Sequence, residues 1–178
     1  TGREAISIII NVVNPTKDEH ILLPSYLCES IMVPFLNKGI NFEFYEIKSD
    51  LSIDFESVNS LISKKTKAIM IINYYGYIQP IKEIRKMKND IIIIEDRTHS
   101  LLSKWKDESS SSAGDIIFSS FRKILPLPDG AHISFNNKSL DNISLNIKNS
   151  NNSFFEKRLL GFIFRGEYIQ SRNPVLKN

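Results

Sequence analysis

The stretch between residues 67 and 96, KAIMIINYYGYIQPIKEIRKMKNDIIIIED, decides the fold class. It begins and ends with short apolar runs, Lys67–Ile72 and Ile91–Ile94, in which polar residues do not alternate with apolar ones. A strand without alternation is buried on both faces, which is typical of a parallel sheet covered by helices on both sides. Between the two runs, Ile78–Lys88 has the apolar spacing of a helix. The stretch therefore predicts a strand–helix–strand unit of a parallel sheet.

The flanking sequence continues this alternation toward both termini. On the N-terminal side the predicted elements are helix Arg3–Val13, strand His20–Leu23, helix Cys28–Lys38, strand Asn41–Ile47 and helix Phe55–Lys64. On the C-terminal side they are strands Ile116–Ser120 and His132–Phe135, and a helix, Phe154–Arg172, that carries Phe155, Leu159, Phe162 and Ile163. The polar segments Ser109–Ser112 and Asn136–Ser153 are expected to be loops. The pattern predicts one domain, a three-layer α/β/α sandwich with a mostly parallel sheet.

Composition limits the class of protein. The chain has 178 residues, 42% of them hydrophobic and 24% charged, and 23 Lys and Arg against 20 Asp and Glu give a net charge of +3. The basic residues are scattered, so we expect no nucleic-acid partner. A single cysteine, Cys28, excludes an intramolecular disulfide and is typical of a reducing compartment. We find no apolar run long enough to cross a bilayer and no leader, and therefore expect a cytoplasmic protein without a membrane partner.

Polar residues follow nearly every predicted strand, at the edge where ligands bind in an open parallel sheet. These segments are Pro24-Ser25-Tyr26, Asn73-Tyr74-Tyr75-Gly76, Glu95-Asp96-Arg97-Thr98-His99 and Ser119-Ser120-Phe121-Arg122-Lys123. Two of their residues are candidates for chemistry. Asp96 could hold a metal, a ribose hydroxyl or a protonated ring nitrogen, or it could simply cap a helix. Lys123 could be a nucleophile favoured by Arg122 and the apolar residues after it, or an exposed surface lysine.

Other candidate sites are weaker. Thr1-Gly2-Arg3 begins a helix, and the free N–H groups there could bind an anion. The three histidines, His20, His99 and His132, lack the spacing of a metal site, so we expect no metal. Cys28 is expected to be a buried structural thiol rather than a nucleophile. Trp105 could belong to a lid or be a local anchor.

Five segments, in order, resemble the DegT/DnrJ/EryC1/StrS family of sugar aminotransferases, which have the fold type I architecture of pyridoxal-phosphate (PLP) enzymes. They are TGREAI, ILLPSYLC, KTKAIMIINYYG, IIIIEDRTHS and GDIIFSSFRKILPLPDGA, and they cover about Thr1 to Phe135. The third resembles the central strand, the fourth the acidic segment and the fifth the lysine segment. Two departures are Arg97-Thr98, where the family has small residues, and Gly130-Ala131 in place of Gly-Gly.

The resemblance implies roles for particular residues. Lys123 would form the Schiff base with PLP and later move protons, and Asp96 would keep the pyridine nitrogen protonated. Gly2 and Arg3 would give backbone N–H groups to the phosphate, and Ser120 would add its hydroxyl. Two further cofactor-binding residues are implied near the ring. Tyr26 would stack on its face, unless Cys28 takes that position, and His99 would lie near its edge. Arg97 could pair with phosphate or substrate, or face solvent.

As a whole, the resemblance implies a homodimeric PLP-dependent aminotransferase of sugar biosynthesis, for example for cell-surface polysaccharides. Its substrates would be a nucleotide-linked keto-sugar and glutamate or glutamine as amino donor. Residues 1–178 would be a partial, truncated large domain without the N-terminal arm and the C-terminal small domain of such enzymes. One alternative is a degenerate, non-catalytic member of the same fold. Another is a doubly wound α/β binding module without cofactor, in which Asp96 caps a helix and Lys123 is a surface residue.

Overall fold

The computed structural model describes residues 1–103, 114–140, 152–172 and 175, and helices alternate with strands as the sequence predicts. The expectations for Trp105 and for the loops at Ser109–Ser112 and Asn136–Ser153 lie wholly or largely outside these residues. The helices within them are α1 (Gly2–Val13), α2 (Glu29–Lys38), α3 (Phe55–Leu61), α4 (Ile81–Met87) and α5 (Asn152–Ser171). The strands are β1 (His20–Pro24), β2 (Asn41–Tyr45), β3 (Thr66–Ile72), β4 (Ile92–Asp96), β5 (Ile116–Ser120) and β6 (Ala131–Phe135).

The strands form one sheet in the order β2-β1-β3-β4-β5-β6. All neighbours from β2 to β5 run parallel, and only β6 is antiparallel, to β5. The predicted mostly parallel sheet is therefore confirmed. Ile72 at the end of β3 is paired with Asp96 at the end of β4, and Asp96 with Phe118 near the end of β5. The carboxyl ends of the three central strands thus meet at one edge.

Each face of the sheet carries its own apolar core. One core joins α1 and α2 to residues such as Met70 and Ile94, and the other joins α3 and α4 to residues such as Ile69 and Ile93. Neighbouring residues of the same strand are completely buried on opposite faces, as Ile69 and Met70 are. This double burial explains why β3 and β4 lack polar alternation, and it confirms the three-layer sandwich.

Several element ends differ from the prediction because local turn chemistry sets them. The third helix ends at Leu61 rather than Lys64, since Ile62 already has an extended backbone. The fourth begins after Pro80 rather than at Ile78, because proline disfavours the helical conformation of the residue before it. The second strand stops at Tyr45. The fourth strand is longer than predicted and reaches Asp96.

The C-terminal helix is present, but the four apolar residues named for it are not buried in a core. Side chains of Phe155, Leu159, Phe162 and Ile163 are between 42% and 49% exposed. The helix is tied to the rest of the domain by Arg158, whose guanidinium donates a hydrogen bond to the Pro128 carbonyl (3.1 Å). None of the helices in the described ranges combines the length and apolarity needed to cross a membrane.

Candidate active site

Asp96 forms the floor of a site at the carboxyl edge of the sheet. Its side chain is 6% exposed, and one carboxylate oxygen accepts a hydrogen bond from the Thr98 N–H (2.7 Å). Thr98 is itself buried, and its hydroxyl oxygen accepts a hydrogen bond from the backbone N–H of Ser120 (3.2 Å). Thr98 therefore joins the end of β4 to the end of β5, a role that the sequence reasoning missed.

Burial raises the pKa of Asp96 above its ordinary value, because a charged carboxylate loses hydration inside the protein. Hydrogen bonds from Thr98 and the nearby positive charge of Lys123 oppose this shift and favour the ionised form. A further positive charge beside Asp96 would therefore lower its pKa and stabilise the ionised carboxylate. A protonated ring nitrogen is one such group.

Lys123 ends a short 3-10 helix, Phe121–Lys123, that directly follows β5. Its ammonium nitrogen lies 3.3 Å from Nε2 of His99, whose ring stacks on Tyr75 with centroids 5.3 Å apart. The Lys123 side chain is exposed, and so are Leu125 and Leu127 in the apolar stretch after it. The expectation that this stretch desolvates Lys123 was wrong, because these side chains face solvent instead.

His99 is a neutral partner for this lysine. Its partial burial is the main cause that lowers the pKa of His99, and the positive charge of Lys123 lowers it further. A neutral imidazole nitrogen can accept a hydrogen bond from the Lys123 ammonium group. This hydrogen bond can therefore orient the Lys123 side chain.

Two adjoining cavities open at this edge, with Cys28, Ile31, Asp96 and Lys123 as their shared wall. The glycine-side cavity, of about 280 Å³, is also lined by Gly2, Arg3 and Ser120, among others. The tyrosine-side cavity, of about 250 Å³, is also lined by Tyr26, Tyr74, Tyr75 and His99. Together they bring all seven site residues proposed from the sequence to one place. These residues are Gly2, Arg3, Tyr26, Asp96, His99, Ser120 and Lys123.

The start of α1 forms one end of the glycine-side cavity. Thr1 caps this helix, and its hydroxyl accepts a hydrogen bond from the Glu4 N–H (3.2 Å). The N–H groups of Gly2 and Arg3 belong to the first turn, which has no carbonyl partners within a helix. A Cβ atom at Gly2 would lie 3.4 Å from Cβ and 3.6 Å from Oγ of Ser120. The backbone of α1 and the Ser120 hydroxyl are therefore close enough to contact one phosphate together.

Tyr26 and Cys28 lie on the opposite side of the site, at the start of α2. Tyr26 is 53% exposed and packs at a tilt on Tyr74, whose hydroxyl donates a hydrogen bond to the Tyr26 carbonyl. Cys28 is exposed, so its prediction as a buried thiol was wrong. Its sulfur lies 3.1 Å from the Ser30 hydroxyl, and this hydrogen bond is the main cause that lowers the thiol pKa. Cys28 lines both cavities, whereas Tyr26 lines only one. Either residue is therefore placed to stack on a ring bound here.

A second carboxylate, Glu95, organises the other face of the same strand end. It is completely buried and accepts hydrogen bonds from Asn73 Nδ2 (2.8 Å) and the Gly114 N–H (2.9 Å). It also forms two hydrogen bonds with the Arg97 guanidinium, at 2.7 and 3.1 Å. Arg97 thus pairs with Glu95, an arrangement that the sequence reasoning did not consider.

In the described part of the chain, His, Cys, Asp and Glu side chains form no group of three or more suited to a metal.

A lysine and a buried carboxylate at the carboxyl edge of an open parallel sheet are the residues with which PLP enzymes hold their cofactor. The family model that matches this chain describes the DegT/DnrJ/EryC1/StrS aminotransferase family, over residues 1–171. The chain belongs to this family. The resemblance noted on five sequence segments is confirmed.

Individual relatives show how the chain compares with longer proteins. GDP-4-keto-6-deoxy-D-mannose 3-dehydratase of Yersinia pseudotuberculosis is 29% identical over 109 residues, 59% of this chain and 28% of that protein. GDP-perosamine synthase of Vibrio cholerae is 23% identical over 153 residues, 83% of this chain and 42% of that protein. The chain thus spans less than half the length of either relative.

A solved structure supports the fold. A GDP-4-keto-6-deoxymannose-3-dehydratase with a trapped PLP-glutamate geminal diamine has a TM-score of 0.55 and 23% identity. The match covers 67% of this chain and 33% of that one. At this identity the likeness shows a shared fold.

Proposed function

We propose that this chain is the cofactor-binding part of a PLP-dependent aminotransferase that transfers an amino group from glutamate or glutamine to a nucleotide-linked keto-sugar. The observation that carries the proposal is the position of Lys123 and Asp96, which both line the two adjoining cavities at the carboxyl edge of the sheet. Family membership and relatives such as a GDP-perosamine synthase support the sugar substrate.

The residues present fit PLP. Bound PLP would supply an aldehyde that condenses with amines and a ring that withdraws electrons. The backbone of Gly2 and Arg3 and the hydroxyl of Ser120, which meet at the start of α1, would hold its phosphate. Asp96 would contact the ring nitrogen from the cavity floor. We assign these roles by position, with Tyr26 or Cys28 on one face of the ring and His99 at its edge.

Lys123 and Asp96 would divide the chemical work. Asp96 would favour a protonated ring nitrogen, because an ion pair in a site with little water is strong. Lys123 would supply the amine that holds the cofactor, and its Nζ, when free, would be the base that accepts a proton from the substrate's α-carbon. Neutral His99, 3.3 Å away, accepts a hydrogen bond from Nζ and keeps it directed into the site.

The open side of the site supports a homodimer. Tyr75, which lines the tyrosine-side cavity, is 69% exposed, and Tyr77 and Leu102 are 70% and 74% exposed. Exposed apolar side chains next to a cavity are typical of a surface that another chain covers. A nucleotide-linked substrate and a single free cysteine support action in the cytoplasm.

The experiment that tests the proposal follows amino transfer directly. The chain is loaded with PLP and incubated with glutamate or glutamine and a nucleotide-linked 4-keto-sugar. Formation of the 2-oxo acid and of the amino-sugar is measured by mass spectrometry. We expect both products with the wild type and neither with Lys123→Ala. PLP binding without either product would instead support the degenerate, non-catalytic alternative. Absence of PLP binding in a folded chain would support the binding module without cofactor.

A further inference from the structure

Thr98 is a buried residue of the site to which the proposed function assigns no role. It is 4% exposed and lines the glycine-side cavity together with Asp96, Phe118 and Ser120. Asp96 is paired with Phe118 across β4 and β5, and residues two positions apart along a strand face the same side of a sheet. Thr98 and Ser120, each two residues further on, therefore continue this face into the site.

The backbone alone already joins the two strands at this point. The Arg97 N–H donates a hydrogen bond to the Phe118 carbonyl (2.8 Å), which extends the pairing of β4 with β5 by one residue. The Thr98 hydroxyl oxygen then accepts the hydrogen bond of the Ser120 N–H (3.2 Å). A side chain thus binds the donor that lies beyond the backbone pairing, at the wall of the cavity.

The same residue acts on the Asp96 carboxylate. The Thr98 N–H donates a hydrogen bond to one carboxylate oxygen (2.7 Å). Burial raises the pKa of Asp96, and the Thr98 side chain is the largest of the effects that oppose this rise, ahead of its own N–H and of the charge of Lys123. A hydroxyl group can accept one hydrogen bond and donate its proton in another. Thr98 can therefore hold Ser120 and Asp96 at the same time.

We propose that Thr98 is a positioning residue, whose hydroxyl fixes the Asp96 carboxylate and the Ser120 backbone relative to each other. It would thereby set the spacing between the group that contacts the cofactor ring and the group that contacts its phosphate. A rigid ligand must meet both groups at once, so a loss of this spacing weakens binding. The inference rests on the proposed function for the identity of the ligand. The link between the two protein groups does not depend on it.

The test compares Thr98→Val with Thr98→Ser. Valine has nearly the shape of threonine without the hydroxyl, whereas serine keeps the hydroxyl and loses a methyl group. We expect the Kd for PLP, followed by the absorption of the bound cofactor, to rise roughly tenfold in Thr98→Val. Thr98→Ser should restore PLP affinity to within about threefold of the wild type, because it keeps the hydrogen-bonding group.

Thr66→Val is the matched control. Thr66 is also buried, and its hydroxyl oxygen accepts a hydrogen bond from the Ser63 N–H (2.9 Å) and lies 2.9 Å from Nε2 of His20. It begins β3, at the opposite end of the strand from the site. We expect Thr66→Val to lower stability but to change PLP affinity by less than about twofold. Equal losses of PLP affinity in Thr66→Val and Thr98→Val would overturn the inference.

Unfolding of the cofactor-free chain measures the link to Asp96 directly. The titratable groups that act on Asp96 or respond to it are Lys123, His99 and Tyr74, and the variants leave all three in place. Because burial raises the folded-state pKa of Asp96 above 3.8, its charge lowers stability increasingly as the pH rises. Loss of the Thr98 hydroxyl should enlarge this effect.

The expected result is therefore a stability difference that depends on pH. The urea midpoint of Thr98→Val should lie further below that of the wild type at neutral pH than near pH 3.8. When both proteins also carry Asp96→Asn, the difference should no longer vary with pH. If valine disturbs folding, Thr98→Ala and Thr98→Ser form an equivalent pair, since they differ only in the hydroxyl.

The two measurements separate this inference from the proposed function. PLP binding by Thr98→Val equal to that of the wild type would overturn the positioning role. So would a stability difference that Asp96→Asn leaves unchanged at every pH. A wild type that binds no PLP would contradict the proposed function, whereas a pH-dependent difference that disappears with Asp96→Asn would still support the link between Thr98 and Asp96.

Discussion

The ammonium nitrogen of Lys123 lies 3.3 Å from Nε2 of His99, and the His99 ring stacks on Tyr75. If Nε2 accepts this hydrogen bond, the proton of the neutral ring is on Nδ1. Nδ1 is buried and has no hydrogen-bond partner among the described residues. The lysine is thus held by a histidine whose pKa is lowered by burial and by the lysine's own charge.

The first prediction concerns the pH dependence of this pair. Because the folded-state pKa of His99 lies below its ordinary value of 6.5, the unfolded chain takes up a proton more readily than the folded one as the pH falls through 6.5. The wild type should therefore lose stability relative to His99→Gln as the pH falls through 6.5 toward the lowered folded-state pKa of His99. Urea unfolding at a series of pH values measures this difference. Parallel stability curves for the two proteins would show that His99 titrates normally.

The second prediction concerns Asp96→Asn. Burial raises the folded-state pKa of Asp96 above 3.8, so the charged carboxylate lowers stability increasingly as the pH rises through this range. Asparagine keeps an oxygen for the Thr98 N–H. The cofactor-free variant should be as stable as the wild type at low pH and more stable at neutral pH, by about 1.4 kcal/mol for each unit of the shift. The same change should weaken PLP binding. Lower stability of Asp96→Asn at neutral pH would contradict this account.

The third prediction concerns Glu95→Ala. This change removes the buried acceptor of the Asn73 amide and the Gly114 N–H, and it removes the carboxylate partner of the Arg97 guanidinium. We expect the free energy of unfolding to fall by about 3–5 kcal/mol. Glu83→Ala is the control, since Glu83 is paired with Lys86 on the surface of α4 and its loss should cost at most about 0.5 kcal/mol. Similar losses in the two variants, measured by chemical denaturation, would contradict the structural role given to Glu95.

The fourth prediction concerns Gly2→Ala. The added methyl group would lie 3.4 Å from Cβ of Ser120, an ordinary contact, so the fold should tolerate it. It would also occupy space between the α1 backbone and the Ser120 hydroxyl, where we propose that the phosphate binds, and we expect PLP affinity to fall by roughly tenfold. Gly161→Ala on α5, where a methyl group meets nothing within 4 Å, is the matched control and should leave PLP affinity unchanged. Unaltered PLP binding by Gly2→Ala would place the phosphate elsewhere.

The layers of the fold were predictable because burial on both faces leaves a direct signal in sequence. Runs such as Ile91–Ile94 have no polar positions, and only a covered parallel sheet explains several of them in series. The ends of elements were less predictable. The start of α4 after Pro80 and the early end of α3 at Leu61 depend on the backbone conformation of single residues, which periodicity does not report.

The candidate site was predictable where its residues lie at the carboxyl end of a strand, as Asp96 does, or in the turn after one, as Lys123 does. The Glu95 cluster was missed because it joins residues 19 and 22 positions apart, and such contacts leave no local pattern. The Glu-Asp pair at the end of a strand buried on both faces was a signal for such a cluster. The two carboxylates point to opposite faces of the sheet, and each needs hydrogen-bonding partners when it is buried. The exposure of Cys28 was mispredicted because it lies at a cavity mouth, which residue type alone does not reveal.

Chemical trapping locates the lysine to which PLP binds. The chain is incubated with PLP, reduced with borohydride, digested and mapped by mass spectrometry. We expect a phosphopyridoxyl group on Lys123, loss of the visible absorption band in Lys123→Ala, and no such loss in Lys157→Ala. A folded chain that carries the label at other lysines only, or equally in Lys123→Ala, would contradict the assignment of this site.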